Sequence, residues 1–158
     1  MKSIVREKKH RLDEELYKGI QIVAFTLCIK KRKQFFTSEK IFKLFERMLL
    51  AEIERFQCSA EIYLFMPDHC HILLRGNTDE SDVLQAVKSF KQKSGYRLSK
   101  NYPDIHWQKD FFDHILRSEK ELSKHVYYIL DNPIRKGITA NWKAYQFKGS
   151  TMHNLNEL

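Results

Sequence analysis

From Gln21 to Lys30 the chain is almost entirely apolar and rich in strand-forming residues. A short unbroken apolar run of this kind predicts a central strand covered on both faces. Lys30-Lys31-Arg32-Lys33 ends it as a basic turn. The period then changes. Ile41, Leu44, Phe45, Met48, Leu49, Ile53 and Phe56 recur at spacings of three and four, which predicts an amphipathic helix with Thr37 or Ser38 as its N-cap. Ser59 to Met66 alternates weakly and predicts a second strand. Pro67-Asp68 is a turn signal that joins it to a third strand, Cys70 to Arg75, as a hairpin closed by Gly76-Asn77.

Asp79 to Lys100 predicts a second helix, capped by Ser81 or Asp82. Val83, Leu84, Val87, Phe90 and Leu98 face the core, and Gly95 weakens the last turns. Ile105 to Gln108 and Phe111 to Leu116 are expected as two short aromatic strands around Lys109-Asp110. Ser118-Glu119-Lys120-Glu121 is a capping box for a third helix with a Leu122, Val126, Ile129 stripe, ended by Asn132-Pro133. Residues 1 to about 16 predict a mobile arm or an edge element. The segment from Lys136 is expected to be irregular, with Trp142, Tyr145 and Phe147 packing back. The order strand, helix, strand, strand, helix, strand, helix is an α+β layout, an antiparallel sheet carrying helices.

Length and composition narrow the class. The 158 residues predict one domain over 1–158, with a core of about 20–138 and a C-terminal tail of 139–158. No apolar run is long enough to span a membrane, and the first residues are polar, without the apolar stretch of a signal peptide. Cys28, Cys58 and Cys70 are isolated, so neither a disulfide framework nor a Cys-based zinc site is expected. A cytoplasmic protein is the natural expectation. The net charge of +8 is spread along the chain and favours a polyanionic partner, nucleic acid ahead of a membrane surface.

The chemistry centres on His69-Cys70-His71. Strand alternation puts His69 and His71 on one side and Cys70, Ile72 and Leu74 on the other. Two adjacent imidazoles can hold one divalent metal ion, although a pair of half-exposed surface histidines fits the same pattern. On the third helix, Glu121, His125, Tyr128 and Asn132 form a polar stripe beside the apolar one, with Tyr127 on the opposite flank. A phenol is a poor nucleophile near neutrality because it ionises only at about pH 10, but a metal bound to the attacked phosphate makes that phosphate more electrophilic. A structural tyrosine and a helix-terminal asparagine are the plain alternatives.

Tyr63 to Leu74 resembles the HUH segment (His, hydrophobic, His) of single-tyrosine transposases. Three later blocks resemble the REP-associated tyrosine transposase branch: His106-Trp107-Gln108, Phe111 to Arg117 with its Asp113-His114, and Tyr128 to Gly137 with its Asn132-Pro133. Ile134 stands where Val is common, Cys70 takes the hydrophobic place, and the first strand has Val23-Ala24-Phe25-Thr26 where the branch often has His-Val-Thr. The resemblance implies a ferredoxin-like, HUH-type fold and a single-strand DNA endonuclease and strand transferase. It implies Tyr128 as nucleophile, forming a 5′-phosphotyrosine link, and His69, His71 and Asn132 as ligands of Mg²⁺ or Mn²⁺. Single-stranded or hairpin DNA is the implied partner, bound by a monomer or homodimer. Lys88, Lys91, Lys93, Arg97 and Lys100 on the second helix, followed by Lys31, Arg32 and Lys33, are the candidate phosphate contacts. Tyr96, Tyr102 or Trp107 could stack on exposed bases. A domesticated nucleic-acid-binding module without catalysis is the alternative function.

Overall fold

The computed structural model describes the backbone of residues 5–7 and the whole of residues 13–158. The strands are β1 (Val5–Glu7), β2 (Ile22–Cys28), β3 (Cys58–Met66), β4 (His69–Gly76), β5 (Phe112–Leu116) and β6 (Lys148–Gly149). The helices are α1 (Glu39–Arg55), α2 (Val83–Asn101), α3 (Glu119–Leu130) and the short α4 (Asn132–Arg135). The strands form one antiparallel sheet in the order β1-β5-β2-β4-β3-β6. Its inner part, β2-α1-β3-β4-α2-β5, is the βαββαβ unit of ferredoxin-like folds.

The unbroken apolar run of β2 has a direct cause. The strand lies between β4 and β5, and both its faces are covered. Val23, Phe25, Leu27 and Ile29 join the larger core beneath α1 and α2, with Phe36, Phe45, Phe65, Phe90 and Trp107. Ala24 belongs to the second core, with Leu64, Leu73, Leu116, Leu122, Ile129 and Leu130, beneath α3. The sheet is therefore the middle of three layers. The alternation in β4 sorts side chains between them: Cys70, Ile72 and Leu74 enter the α1/α2 core, whereas Leu73 enters the α3 core.

Capping residues match their expectation. Ser38, Asp82 and Ser118 accept hydrogen bonds from the backbone N–H groups of Ile41, Gln85 and Glu121. The β3–β4 connection is the two-residue turn Pro67-Asp68. Neither residue has positive φ, so the turn lacks the backbone twist that favours tight hairpins. External bonds hold it: the Phe35 and Phe36 N–H groups donate to the Pro67 carbonyl, and Ile29 N–H donates to that of Asp68.

Several expectations change. Ile105 to Gln108 is not a strand paired with the next one. Trp107 makes a single bridge to Ile29, while β5 pairs with β2 and β1. Trp107 is drawn inward instead, its indole N–H donating to the buried Ser94 hydroxyl at 2.8 Å. Helix α2 begins at Val83, not Asp79, because Thr78 to Ser81 is folded into a hydrogen-bonded turn around the Ser81 hydroxyl. Gly95 is accommodated within α2. The arm is an edge element where it is described, since Val5–Glu7 pairs with β5; residues 1–4 and 8–12 lie outside the described residues. Tyr17, ahead of the expected core boundary, is fully buried and donates to Asp113 Oδ1 at 3.0 Å.

The C-terminal segment packs back as expected and adds the edge strand β6 to β3. It is tied down where the β3 register shifts between Ala60 and Ile62. There the buried Glu61 carboxylate meets Arg75 Nε at 2.9 Å and His153 Nε2 at 2.6 Å. Among the described residues no helix is long and apolar enough to cross a membrane.

Candidate active site

His69 and His71 lie on the α3 side of the sheet, at the start of β4. In the strand register His71 lies beside Thr26 and His69 beside Cys28. Each ring is held through Nδ1. His69 Nδ1 lies 2.6 Å from Asp68 Oδ1, and His71 Nδ1 lies 3.2 Å from the Thr26 hydroxyl. A carboxylate can only accept, so His69 carries its proton on Nδ1 and presents a lone pair at Nε2. The Thr26 hydroxyl can accept in the same way from His71. Both Nε2 atoms point to one place, occupied by the Asn132 amide nitrogen, which donates to His71 Nε2 at 2.6 Å and lies 3.4 Å from His69 Nε2.

Burial decides the charge of this pair. His71 is only 8% exposed. Burial pushes its imidazole down to about 3, helped by the neighbouring His69, His125, Arg135 and Arg32. Burial lowers His69 as well, against the opposing pull of Asp68. Burial alone would raise the Asp68 carboxyl, but its bonds from His69 and Arg32 outweigh that and hold it below the usual range. At neutral pH the site is therefore two neutral imidazoles backed by an ionised carboxylate.

That donor set fits a divalent cation. Neutral imidazole nitrogens can be ligands, the orienting partner on Nδ1 is the usual outer support, and a half-turn of the Asn132 amide would present its oxygen to the same point in place of the nitrogen. The oxygen donor and remaining open positions suit Mg²⁺ or Mn²⁺, with imidazole favouring Mn²⁺. Among the described residues no group of three or more His, Cys, Asp or Glu could hold a metal ion, and the Asn132 amide is the side chain that meets both histidines.

Asn132 reaches the histidines because Asp131 ends α3 and α4 starts immediately, with Pro133 in its first turn. Tyr128, one turn earlier, is 54% exposed, so its ring is open to a ligand. The Arg135 guanidinium lies 4.2 Å from the centre of that ring and donates to the Tyr128 carbonyl at 2.9 Å. On the other flank the His125 ring is 5.8 Å away. Burial lowers the His125 imidazole, as does nearby His114, while Glu121 opposes them. Tyr127 points elsewhere, into a groove with Val126, Met152 and Leu158.

The basic residues divide. Lys88, Lys91 and Lys93 line a groove of about 770 Å³ on the α1/α2 layer, with Arg55, Gln85 and His106. Lys88 and Lys93 are paired with Glu14 and Glu52, and Lys91 donates to the Lys109 carbonyl. Arg97 and Lys100 are exposed further along α2, Lys100 lying against Tyr96. Arg32 belongs to the histidine site: it donates to Asp68 at 3.0 Å and lies 3.4 Å from His69 Nδ1. Lys31 and Arg32 adopt left-handed backbone (φ 62° and 53°), which turns the basic segment back over Asp68. Lys33 bonds the Asp104 carbonyl. Of the stacking candidates Trp107 is buried, Tyr102 packs on Phe35, and Tyr96 is 66% exposed.

Sequence reasoning treated Asp68 only as a turn residue and passed over Thr26. Their signals were present: Asp68 immediately precedes the first histidine, and Thr26 interrupts an apolar strand.

The profile of IS200-like transposases matches residues 20–132, from the start of β2 to Asn132 itself. The chain belongs to the IS200-like transposase family. A Haemophilus influenzae protein assigned as a REP-associated tyrosine transposase is 21% identical over 137 residues, covering 78% of this chain and 77% of that protein. A solved REP-associated tyrosine transposase, bound to a REP hairpin, superimposes with a TM-score of 0.74 at 19% identity, covering 88% of this chain and 80% of that one. This second likeness is one of fold. The matched region contains both histidines, Tyr128 and Asn132.

Proposed function

We propose that this member of the IS200-like transposase family is a metal-dependent single-strand DNA endonuclease and strand transferase with Tyr128 as its nucleophile. The observation that carries the reading is the meeting of the Asn132 amide with both histidine Nε2 atoms, one helical turn from an exposed tyrosine. The Tyr128 oxygen attacks a backbone phosphorus, a phenol O–P bond forms, and the bond from phosphorus to the 3′ oxygen breaks. The phenol proton leaves to water, and the departing 3′ oxygen takes a proton to become a free 3′-hydroxyl. The 5′-phosphotyrosine conserves the bond energy, so rejoining to another 3′-hydroxyl requires no nucleotide cofactor. A Mg²⁺ or Mn²⁺ ion held by His69, His71 and Asn132 would neutralise and orient the attacked phosphate.

Hairpin DNA is the substrate we infer. The REP hairpin named with the structural relative supports it, as does the basic groove on α2. That groove and the histidine site lie on opposite layers of the sheet. The 30–33 turn connects them, because Arg32 touches His69 while the Lys30 N–H bonds to the carbonyl of groove-lining His106. A stem in the groove with its single-stranded flank led past this turn would bring the flank to Tyr128.

A labelled hairpin oligonucleotide with single-stranded flanks, incubated with Mn²⁺ or Mg²⁺, tests the reading. The wild-type protein should cut the flank and retain one fragment covalently. Tyr128→Phe should lose both products while binding the uncut DNA within about twofold, because the lost hydroxyl carries the chemistry rather than the affinity. A covalent adduct that survives in Tyr128→Phe would move the nucleophile to another residue, with Tyr127 next to be tested. Binding without cutting in any metal would leave a nucleic-acid-binding protein only.

A further inference from the structure

We propose that His125 is a positioning residue for Tyr128, holding the nucleophile's ring as the middle member of a column of rings built up from the sheet. The proposal rests on the reading of Tyr128 as nucleophile.

The column starts on β5. Asp113 and His114 are neighbours on a strand, so they point to opposite layers: Asp113 accepts from Tyr17, whereas His114 faces α3. His114 is buried, and its Nε2 lies 2.7 Å from the Glu121 carboxylate, which fixes the ring. The His125 ring stacks on it, with centroids 5.6 Å apart and planes within 14°. Tyr128, three residues further along the helix, sits 5.8 Å from His125 with its plane tilted by 44°. Residues three apart on a helix are surface neighbours, so the contact follows from sequence spacing once His114 supports His125.

The column answers a need that the metal ligands do not meet. A phenol more than half exposed to solvent and without neighbours would exchange rotamers freely, whereas in-line attack on a phosphate requires the oxygen in one place. The Arg135 guanidinium lies 4.2 Å from the Tyr128 ring centre and the His125 ring 5.8 Å from it, and these two contacts restrict the rotamers open to the exposed ring. Attack within a bound complex is sensitive to such placement, and a misalignment of about 1 Å can cost on the order of 100-fold in rate. Besides Tyr128, the groups near His125 are Glu121 on its own helix, His114 on β5, and His71 on β4, whose charge balance it influences. The ring of His125, rather than its proton, is the feature the column uses.

His125→Ala and His125→Phe, measured beside wild type and Tyr128→Phe, test the proposal. Single-turnover adduct formation with saturating oligonucleotide and Mn²⁺ should fall by about 10- to 100-fold in His125→Ala, with binding of uncut DNA nearly unchanged. His125→Phe should restore most of the rate, because it keeps a ring in the column. NMR of tyrosine-labelled protein should show the Tyr128 side chain ordered in wild type and His125→Phe, and rotamer-averaged in His125→Ala. An ordered Tyr128 in His125→Ala would overturn the proposal. So would equal loss of rate in both variants with Tyr128 still ordered, since the imidazole nitrogen would then be the active group. An adduct surviving in Tyr128→Phe would instead refute the nucleophile assignment, and the NMR readout would still decide the positioning role.

Discussion

Each histidine of the pair divides its two nitrogens between support and function. Asp68 and Thr26 hold the Nδ1 atoms, and this leaves both Nε2 atoms for the amide or a cation. Asp68→Asn keeps the shape but removes the charge that would strengthen His69 as a ligand in the proposed metal site. Its Mn²⁺ affinity by calorimetry should fall by about tenfold, the lower end expected for loss of an orienting carboxylate; unchanged affinity would count against the site. A second consequence concerns acid stability. His71 has a folded value near 3 against an ordinary 6.5, so between those limits the unfolded chain binds more protons and stability rises with pH. The contribution of neutral His71 is complete above about pH 6.5 and is lost as the pH falls toward about 3, with a slope of at most about 1.4 kcal/mol per pH unit. Urea midpoints should therefore drop less steeply on acidification in His71→Gln than in wild type. Alternation in the sequence was enough to put His69 and His71 on one face with Cys70 as core filling. Their burial was not legible, because the Asn132 amide that covers them comes from a helix some sixty residues later. Nor was the role of Arg32, which depends on two left-handed residues in a stretch that reads as an ordinary basic surface turn.

Helix α3 and its continuation α4 carry the rest of the candidate site, so whatever fixes their ends fixes where Tyr128 and Asn132 sit. Ser118 caps α3, while Glu121, the expected partner in a capping box, reaches the Arg117 N–H and the His114 ring instead. The same residue thus serves the helix start and the ring column. Ser118→Ala should lower unfolding free energy by about 1 kcal/mol, as loss of a side-chain cap usually does, measurable by urea titration. No change would mean that packing of Leu122, Ile129 and Leu130 alone defines this end. Helices were the most readable elements, since periods of three and four extend over many residues. The β3–β4 hairpin was readable from Pro67-Asp68 and from runs on either side. Short aromatic segments misled, because Trp107 and Phe111 are equally at home in a strand or inserted beneath α2, and only the Ser94 hydroxyl selects the second. The pairing of β6 with β3 left no sequence signal, being two residues long and fixed by bonds of Ser150 and Thr151 to the Ala60 backbone.

At the scale of the molecule, a βαββαβ sheet separates two surfaces with different work. One layer carries the groove of α2, and the other carries the histidines, Asn132 and Tyr128. The α+β layout followed from the order of elements, whereas the split between layers required the strand order. Charge was legible in total, but not how it is spent: Lys88 and Lys93 are engaged with acids, while Arg97 and Lys100 are exposed. If the α2 surface holds a DNA stem, Arg97→Ala with Lys100→Ala should weaken hairpin binding and reduce the slope of log affinity against log salt by about 1 to 2, one phosphate contact contributing about 0.9. Tyr128→Phe should leave that slope as it is, because Tyr128 lies on the other layer. The central claim is that one hydroxyl on the sheet's far side becomes joined to DNA. Mass-spectrometric mapping of the protein after reaction with a hairpin oligonucleotide and Mn²⁺ tests it most directly. The predicted result is a peptide carrying a 5′-phosphorylated nucleotide on Tyr128, absent when His69 and His71 are both replaced by Ala. A nucleotide on any other residue, or cleavage with no protein-linked nucleotide, would contradict it.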